Sequence, residues 1–414
     1  MALTISNIGA VLKKIIIPVI QEQLPKENVL FAKVKRNSGV TVANNTIYIA
    51  ARTQRHSGIY SVAESTEPRS GKSAYSNPYD SIKYAFGTLE LTDQAIEATS
   101  GGTKALASIL QTEINALKED ILADFNRQMH GAGRGKLCTI GSAATGLTVY
   151  LGTASGSLSP TGNDPTEYLV PGMFIHINTG AAVEIATVVP SATIPTITLV
   201  SDAVSVLHPH VLNFVVTKEQ GTTILGTTGS SVEIMGLAGI IDDGDNLPTI
   251  HNITRSTNAW ACANVEDTAT TLTEAQMISL YLKCKRYGFG GSGVVMMNEP
   301  LYSKYASLMT SLKKTADTKE IISGGFRGLD FMDGVGVMLD FDTWQGYVQM
   351  VDFDSLTIAE MTEPWKWLEA DAHGGILKRS ASNRTIWEGT LKYYCNLVGK
   401  KFKSQGRLSG KTGL

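Results

Sequence analysis

The chain has 414 residues, of which 43% are hydrophobic and 18% charged, and its formal net charge is −2. This length is enough for two or three compact units, and the small share of charged residues leaves surface that neighbouring chains could cover. The near-neutral charge argues against a chain that binds a polyanion as a whole. Its four cysteines lack C-x-x-C spacing, which argues against a disulfide framework or a zinc site.

Basic residues are concentrated at both ends of the chain. Residues 1–36 contain six lysines and arginines against two glutamates. After Glu388 the chain has further lysines and an arginine but no acidic residue. Two interpretations remain open at this stage. The ends are either solvated and frayed, or they contact an acidic neighbour or a polyanion.

Residues 1–35 have the pattern of an amphipathic arm that breaks at Leu24-Pro25. A short apolar stripe at a chain end does not repay its own ordering entropy, so we expect the arm to dock on another surface. The apolar run 15–20 is interrupted by Pro18 and is shorter than the ~20 residues that span a bilayer. We therefore expect no membrane partner.

A long two-stranded excursion follows the arm. Residues 46–50 and 81–91 alternate and are β-branched or aromatic, which predicts strands. Between them, residues 52–79 are polar through the middle and contain Gly and Pro near the tip. An isolated hairpin of this size is marginal in water, so the sequence predicts that it needs a partner outside its own fold.

The strongest helix signal is at residues 100–129, between glycines on both sides. Its apolar side chains recur at steps of three and four, which places them on one face of an α-helix. These apolar positions are Leu106, Ile109, Leu110, Ile114, Leu117, Ile121, Leu122, Phe125 and Met129. The opposite face is charged, so the helix must bury one stripe.

The composition changes over residues 137–216, where Thr, Val, Ile, Gly and Pro dominate and charge nearly vanishes. Short alternating runs separated by turn residues predict a small all-β module, a barrel or a sandwich. The runs are residues 147–151, 173–177, 183–189, 196–200 and 213–216. This module has the character of an insertion.

The remaining sequence mixes helices and strands. The capping box Thr271-Leu-Thr-Glu274 predicts the start of a helix, a continuous apolar run predicts a buried strand at 294–297, and another helix follows at 299–309. Further strands are predicted at 335–340, 347–352, 356–359, 375–380 and 384–394. The predicted fold class is therefore α+β.

Several segments resemble sites of chemistry and fail on their spacing. Gly131-Ala-Gly-Arg-Gly-Lys136 follows a helix and lacks the glycine spacing of a phosphate loop, and Gly288-Phe-Gly-Gly-Ser-Gly293 leads into a strand, as a helix-to-strand turn does. Asp242-Asp-Gly-Asp-Asn246 is too short for a calcium loop. No convergent set of residues supports catalysis, so we predict no catalytic, metal or cofactor-binding residue and no enzyme.

Three histidines and two carboxylate pairs complete this group. His208 and His210 flank Pro209, which points them apart, and neither they nor His176 has a thiol or carboxylate at metal-ligand spacing. The pairs Asp340-Phe-Asp342 and Asp352-Phe-Asp354 precede turn-like residues, so we interpret them as turn caps.

The order of the parts resembles the major capsid proteins of tailed bacteriophages, the Hong Kong 97 fold family. The resemblance spans nearly the whole chain and rests on diffuse motifs. After the arm, the hairpin and the long helix, the motifs are Gly236-Leu-x-Gly-Ile-Ile241, Val294-Val-Met-Met-Asn298-x-Pro300-x-Tyr302, and a closing segment from Trp365-x-Trp367 through Gly374-Gly375, Arg384 and Trp387 to Leu391.

The resemblance implies a division of the chain into named parts. They are an N-terminal arm at 1–40, a peripheral domain part at 41–136 with an extended loop at 48–84 and a spine helix at 101–130, an inserted β-rich domain at 137–235, an axial domain at 236–345, and the rest of the peripheral domain with a basic C-terminal tail at 346–414. Because the simplest members lack the β-rich block, we expect it to serve decoration or contacts between capsomers.

The resemblance also implies a function. The chain would be the shell protein of a double-stranded DNA phage head, forming hexamers and pentamers in the bacterial cytoplasm, with the virion as its final location. Partners would be itself, a separate scaffolding protein, the portal, a decoration protein, and DNA contacted non-specifically, with Lys400, Lys401 and Lys403 as a hypothetical DNA contact. Some relatives cross-link a loop lysine to a neighbour's asparagine, and Lys72 is a conceivable donor.

Two other functions remain as alternatives. One is an encapsulin-like bacterial nanocompartment shell, although such shells are usually shorter and lack the β insertion. The other is a tail or fibre protein with a carbohydrate-binding β module, which would leave the long helix and the segment from Trp365 to Trp387 unexplained.

Overall fold

The computed structural model describes residues 30, 33–94, 103–142, 147–152, 166, 168–177, 182–190, 195–200, 215–218, 232–313, 331–361, 365–368, 377–380 and 385–413. The N-terminal arm expected at 1–40 therefore lies mostly outside the described residues. Its last part is ordered against the body of the protein, because Leu30 and Val34 are buried in the largest core cluster.

The first described third contains short strands and one long helix. The strands are β1 (Val40–Ala43), β2 (Thr46–Ile49), β3 (Ala51–Gln54), β4 (Ala74–Ser76), β5 (Tyr79–Ser81) and β6 (Lys83–Thr92), and helix α1 spans Thr103–His130. The strands expected at 46–50 and 81–91 and the helix expected at 100–129 are confirmed within a few residues.

The predicted buried face of helix α1 is confirmed where its side chains are described. Ile114, Leu122, Phe125 and Met129 are each at most 6% exposed, and side chains of this size stabilise the fold by roughly 1.5–3 kcal/mol each when fully buried. The helix ends after His130, where the amide of Gly131 donates to the carbonyl of Arg127.

The β-rich block forms a closed barrel. Its strands are β7 (Lys136–Ser142), β8 (Thr148–Gly152), β9 (Phe174–Ile177), β10 (Val183–Val189), β11 (Thr196–Leu199) and β12 (Val215–Lys218), in the order β10-β11-β8-β7-β12-β9. Alternate residues point inward and form a separate apolar core that includes Val149, Ile175 and Ile197. Of the two architectures that the sequence left open, the structure has the barrel.

The rest of the chain supplies helices and the strands of two larger sheets. The elements are α2 (Leu237–Ile240), β13 (Thr249–Ile250), β14 (Ile253–Thr254), β15 (Asn264–Thr271), α3 (Glu274–Lys285), β16 (Gly293–Met297), α4 (Glu299–Lys313), β17 (Gly336–Leu339), β18 (Val348–Asp352), β19 (Leu356–Glu360), β20 (Lys366–Trp367), β21 (Leu377–Arg379), β22 (Ile386–Gly399) and β23 (Gly406–Thr412). Short 3₁₀ turns lie at Ala259–Ala261, Met332–Gly334 and Phe353–Ser355.

The long sheet is built around β22, a strand of 14 residues. It pairs antiparallel with β6 from Ile386 opposite Thr92 to Cys395 opposite Lys83, and with β19, β20 and β21. Helix α1 packs on this sheet, with the Phe125 ring 5.8 Å from Trp365 and 5.7 Å from Tyr393. This contact positions the long helix on the sheet.

The mixed sheet has the order β15-β23-β18-β16-β17, with parallel pairs at β15/β23 and β16/β17. Helices α3 and α4 contribute Leu280, Tyr281 and Tyr305 to the core on this sheet. The sheet joins strands from both sides of the boundary expected at 345, since β18 and β23 pair with strands of the 264–339 region.

Two sequence expectations are wrong in this region. The helix cap is Thr273 with Gln276, not Thr271 with Glu274, because Thr271 still belongs to β15 and the amide of Leu272 donates to the carbonyl of Thr412. The last part of the expected basic C-terminal tail is a strand instead, because residues 406–412 form β23 in the middle of the mixed sheet.

Candidate assembly surfaces

The finger, which we define as residues 51–76, projects as a narrow two-stranded hairpin. Strands β3 and β4 pair antiparallel, with Arg52 opposite Tyr75. Further out, the amide of Ser57 donates to the carbonyl of Lys72 at 3.1 Å. Gly58 and Gly71 approach so closely that a Cβ on Gly58 would lie 2.8 Å from the Gly71 amide. The two sides of the hairpin can only come this close because both residues lack a side chain.

The tip of the finger exposes apolar side chains that nothing in the described structure covers. Ile59 is 82% exposed, and Tyr60 and Val62 are 49% and 47% exposed. Tyr75, in strand β4 of the finger, is 74% exposed. Contiguous exposed apolar side chains on a monomer mark interaction sites. The excursion expected at 52–79 is thus confirmed as a hairpin with a tip that lacks a core of its own.

A groove of about 610 Å³ lies between helix α1 and strand β6. Its apolar wall includes Tyr84, Phe86 and Ile121, and its polar rim includes Asp120 and Asp124. The rings of Tyr84 and Phe86 are 45% and 56% exposed. Helix and strand come close here because Gly87 leaves room for the Ile121 side chain.

A buried ionic cluster joins the C-terminal end of helix α1 to the chain that leaves the barrel. The Arg127 guanidinium contacts Glu233, and it also donates to Asp124 at 3.0 Å. Arg127 and Glu233 are each buried to above nine-tenths. Burial disfavours the charged guanidinium, but attraction to Glu233 and Asp124 outweighs it and raises the pKa of Arg127. This cluster holds the helix end against residue 233.

The same end of helix α1 is joined to the mixed sheet and to the barrel. His130 Nε2 lies 3.1 Å from Asp340 Oδ2, and the Tyr168 hydroxyl donates to Asp342 at 2.7 Å. Asn126 donates to the same Asp342 carboxylate. Burial lowers the pKa of His130, but the carboxylate of Asp340 more than compensates, so the net pKa is raised.

A second buried cluster fixes the end of the chain. Asp242 is fully buried, and it accepts from the guanidinium groups of Arg255 and Arg407 at 3.3 and 3.5 Å. Lys411, also buried, donates to the carbonyl of Thr268 at 2.8 Å. Of the two interpretations of the basic C-terminal end, the solvated one does not hold at positions 407 and 411, where the cations are buried and Arg407 contacts an acidic residue.

The two carboxylate pairs and the glycine-rich segment that begins at Gly288 lie in turns. Asp340 accepts from the amide of Asp342, and Asp352 accepts from the amide of Asp354, so the turn-cap interpretation is confirmed for both pairs. Gly288 has a φ of +100° between α3 and β16, which confirms the helix-to-strand turn. His176 lies in β9, whereas His208 and His210 lie outside the described residues.

Side chains that could hold a metal ion do not converge in the part of the chain that the structure describes. Within those residues, no helix is long and apolar enough to cross a membrane. Burial raises the pKa of the thiols of Cys138 and Cys284 to about 12, which keeps them protonated and unreactive at neutral pH.

Sequence reasoning missed the charged residues that matter most for the architecture. Arg407 and Lys411 stand in a seven-residue segment, Gly406–Thr412, in which six residues are polar, charged or glycine. Such a composition is not typical of a central strand. Asp242 stands in a turn-like run of acids. The sequence shows an acidic run at 242–245 and a basic C-terminal segment, but it does not specify which of these charges meet.

Comparison by sequence identifies no relative. No model of a known protein family matches the chain, and no curated protein matches it. Comparison by structure does find similar chains.

The chain is similar to a chain of the capsid asymmetric unit of cyanophage A-1(L), with 11% sequence identity, a TM-score of 0.51, and 93% of each chain covered. It is also similar to a chain of the capsid of the native GTA particle, with 8% identity, a TM-score of 0.45, and 90% of this chain and 86% of that one covered. It is further similar to a chain of the satellite phage P4 procapsid, a particle that includes the size determination (Sid) protein, with 7% identity, a TM-score of 0.40, and 95% of this chain and 99% of that one covered.

The cyanophage A-1(L) chain, with a TM-score of 0.51, supports a common fold. Across most of its length, this α+β chain has the fold of that phage capsid chain. The resemblance to phage capsid proteins drawn from the sequence is thus confirmed at the level of the fold.

Proposed function

We propose that this chain, with the fold of a phage capsid chain, is the major shell subunit of a tailed double-stranded DNA bacteriophage. In this proposal, copies assemble into hexamers and pentamers in the bacterial cytoplasm and close into an icosahedral head around the genome. Its role is structural rather than enzymatic, and its final location is the virion.

The observation that carries this proposal is the finger. Ile59, Tyr60 and Val62 expose apolar surface on a hairpin whose strands, among the residues that the structure describes, pair only with each other. A lone two-stranded hairpin is marginally stable, so the finger gains most by lying on another chain. Because the finger and its receiving surface are different parts of the molecule, the contact is heterologous. Repeated contacts of this kind close into rings where the rotation allows and otherwise continue as open assemblies of identical chains.

Charge supports a contact between copies of this chain. The outer part of the finger has three cations, Arg55, Arg69 and Lys72, against Glu64 and Glu67. Among the side chains described on helix α1, the exposed charged ones are the acids Glu113, Glu119 and Asp120. Opposite charges on two surfaces of one chain favour association between copies and select its direction.

We assign the parts of the chain as the Hong Kong 97 fold family implies. Residues 1–40 are the arm, 48–84 the extended loop, 101–130 the spine helix, and 137–235 the inserted β domain. The axial domain is built on the mixed sheet, which extends the assignment of 236–345 by β18 and β23. The long sheet and helix α1 then form the peripheral domain, with the remainder of 41–136 and 346–414.

We favour a virion over an encapsulin-like nanocompartment, since the likeness that supports the fold is to a phage capsid chain. A separate scaffolding protein, a portal and a decoration protein are the further partners of this proposal. The barrel at β7–β12 is the part we assign to decoration or to contacts between capsomers. Cross-linking through Lys72 is not part of the proposal.

Expression of the chain followed by negative-stain electron microscopy tests the proposal. Closed particles, tubes or capsomer rings are the expected result. The matched variant replaces Ile59, Tyr60 and Val62 by serine. Because burial of each such side chain contributes roughly 1.5–3 kcal/mol, we expect the chain concentration needed for assembly to rise at least about 100-fold.

A control variant separates assembly from general loss of apolar surface. Leu282 and Phe341 are 55% and 64% exposed outside the finger, and their replacement by serine should leave assembly within a few-fold of the original. The melting temperature of unassembled chains should stay the same in both variants, since the finger tip is not part of a core. A wild-type chain that remains monomeric at high concentration would contradict the proposal.

A further inference from the structure

The turn at residues 400–404 presents three lysines from a rigid base. Phe402 between them is 2% exposed and packs its ring against those of His251 and Trp260. The Ser404 hydroxyl donates to the carbonyl of Lys401 at 3.1 Å. The backbone that positions the lysines is therefore fixed before any partner binds.

Buried Gln405 anchors the turn on its other side. Its side-chain oxygen accepts from the amide of Asp352 at 2.9 Å, and its side-chain nitrogen donates to the carbonyl of Asp352 at 3.0 Å. This pairing ties the turn to the end of β18. A fixed presentation of charges lowers the ordering entropy that binding would otherwise cost.

Other cations lie beside the three lysines. Lys400 Nζ donates to the carbonyl of Ser38 at 3.1 Å, which brings it next to the residues that follow Lys35. Partial burial and repulsion from Lys35 and Lys401 lower the pKa of Lys400. Asp354 forms an ion pair with Lys35 at 2.6 Å, and Asp354 and Asp352 offset part of the repulsion at Lys400.

An aromatic side chain and an arginine extend this surface. Lys403 Nζ lies 5.1 Å from the centre of the Tyr287 ring, and that ring is 43% exposed. Arg286 precedes Tyr287 at the end of helix α3 and is exposed. We call the whole surface the basic ledge and define it as Lys35, Arg286, Tyr287, Lys400, Lys401 and Lys403.

We propose that the basic ledge binds the phosphate backbone of double-stranded DNA without reading its sequence. This inference rests on the proposed function and specifies which surface of the subunit meets the genome. A cluster of like charges costs free energy unless an anion neutralises it, and the regular phosphates of a duplex supply several anions at once. The ledge presents ammonium and guanidinium groups together with one aromatic ring, and these favour backbone contacts over a base-reading element.

The sequence drew attention only to Lys400, Lys401 and Lys403. The structure adds Lys35, whose carbonyl accepts from the amide of Ile358 in β19 of the long sheet. It also adds Arg286 and Tyr287, which follow helix α3. The structure also excludes Arg407 and Lys411 from the DNA contact, because both are buried and donate to Asp242 and to the carbonyl of Thr268, respectively. The predicted contact is thus a local surface and not a basic tail.

The test uses the full chain and a double-stranded DNA oligonucleotide of random sequence, with binding followed by fluorescence anisotropy over a range of salt concentrations. The variant replaces Lys401 and Lys403 by glutamine. The control replaces Lys366 and Lys378, which are exposed on β20 and β21, by glutamine. It therefore changes the net charge by the same amount as the ledge variant does. Each lost phosphate contact reduces the salt slope by about 0.9, so the ledge variant should lose about 1.8 from the slope of log K against log salt.

Electron microscopy of the same preparations reports assembly separately. Shells that form normally while the ledge variant binds DNA more weakly than the control would support the inference. Equal DNA binding by both variants would overturn it, whether or not shells form. Tighter binding of polyglutamate than of DNA, with the same loss in the ledge variant, would also overturn it, because the ledge would then fit an acidic protein. An absence of shells in the wild type would contradict the proposed function alone.

Discussion

Replacement of Asp242 by asparagine should strongly destabilise the chain, because this carboxylate balances two buried guanidinium groups. Asp242, Arg255 and Arg407 are all at most 2% exposed. The carboxylate also accepts from the amide of Leu247 at 2.9 Å. The substitution keeps the size of the side chain and removes its charge, so it isolates the electrostatic contribution.

The size of the effect follows from the burial of the cluster. Removing one partner of a buried ion pair costs about 3–5 kcal/mol, because an uncompensated charge is left behind. The asparagine oxygen can still accept from Leu247 or Arg255, so we expect a loss near the lower end, about 3 kcal/mol. That loss lowers the ratio of folded to unfolded chain more than about 100-fold.

Urea denaturation of unassembled chain measures this loss. Tryptophan fluorescence is a suitable probe, because Trp260 lies next to Ala261, whose carbonyl accepts from Arg255 at 3.0 Å. Asp243→Asn is the matched control, since Asp243 is half-buried and its carboxylate accepts from the amide of Asp245 in the same turn. It should change stability by less than about 0.5 kcal/mol.

A double-mutant cycle then tests the pairing itself. Arg407→Gln should cost much less in the Asp242→Asn background than in the wild type, with a coupling of about 0.5–3 kcal/mol. The reasoning is refuted if Asp242→Asn and Asp243→Asn shift the urea midpoint equally. It is also refuted if the two substitutions at 242 and 407 are additive, since the charges would then not depend on each other.

Two further predictions concern helix α1. Phe125→Ala should lower the free energy of unfolding by about 3–5 kcal/mol, because it leaves a cavity beside Trp365, whereas Phe86→Ala, at an exposed ring, should cost far less; equal urea midpoints would contradict this. His130 has a raised pKa and Asp340 a lowered one. The stability that their ion pair contributes is therefore complete below the usual His pKa of about 6.5 and is lost as pH rises through the raised pKa of His130. It is also lost in acid, as pH falls through the lowered pKa of Asp340. The difference in melting temperature between wild type and His130→Gln should therefore shrink as the pH rises above about 6.5, and a constant difference would contradict the ion pair.

Elements with local periodicity were predictable from the sequence. Helix α1 was predicted within three residues at its start, because its apolar side chains recur every three or four positions and glycines follow it. The continuous apolar run of β16 and the short alternating strands of the barrel were predicted for the same kind of reason. The hairpin of the finger was predicted from strand-like ends around a polar middle.

Elements that depend on distant partners were not predictable. Strand β23 contains Arg407 and Lys411, and β15 contains Glu266 and Asp267, so neither has the apolar alternation of a strand. They form because they pair with each other in parallel across more than 130 residues of chain. The cap of helix α3 moved to Thr273 for the same reason, since this pairing extends β15 to the residue where the box was expected.

The sequence by itself determined the α+β composition, the long amphipathic helix, the β-rich block and the finger that lacks a core, because each of these depends on the spacing of neighbouring side chains. Only the tertiary structure decided which charges are buried and which remain on the surface. Arg407 and Lys403 stand four residues apart in the same basic segment, yet one pairs with Asp242 in the interior and the other lies on the basic ledge. Coulombic and burial energies depend on distances through space, and those distances are set by strand pairing between remote parts of the chain.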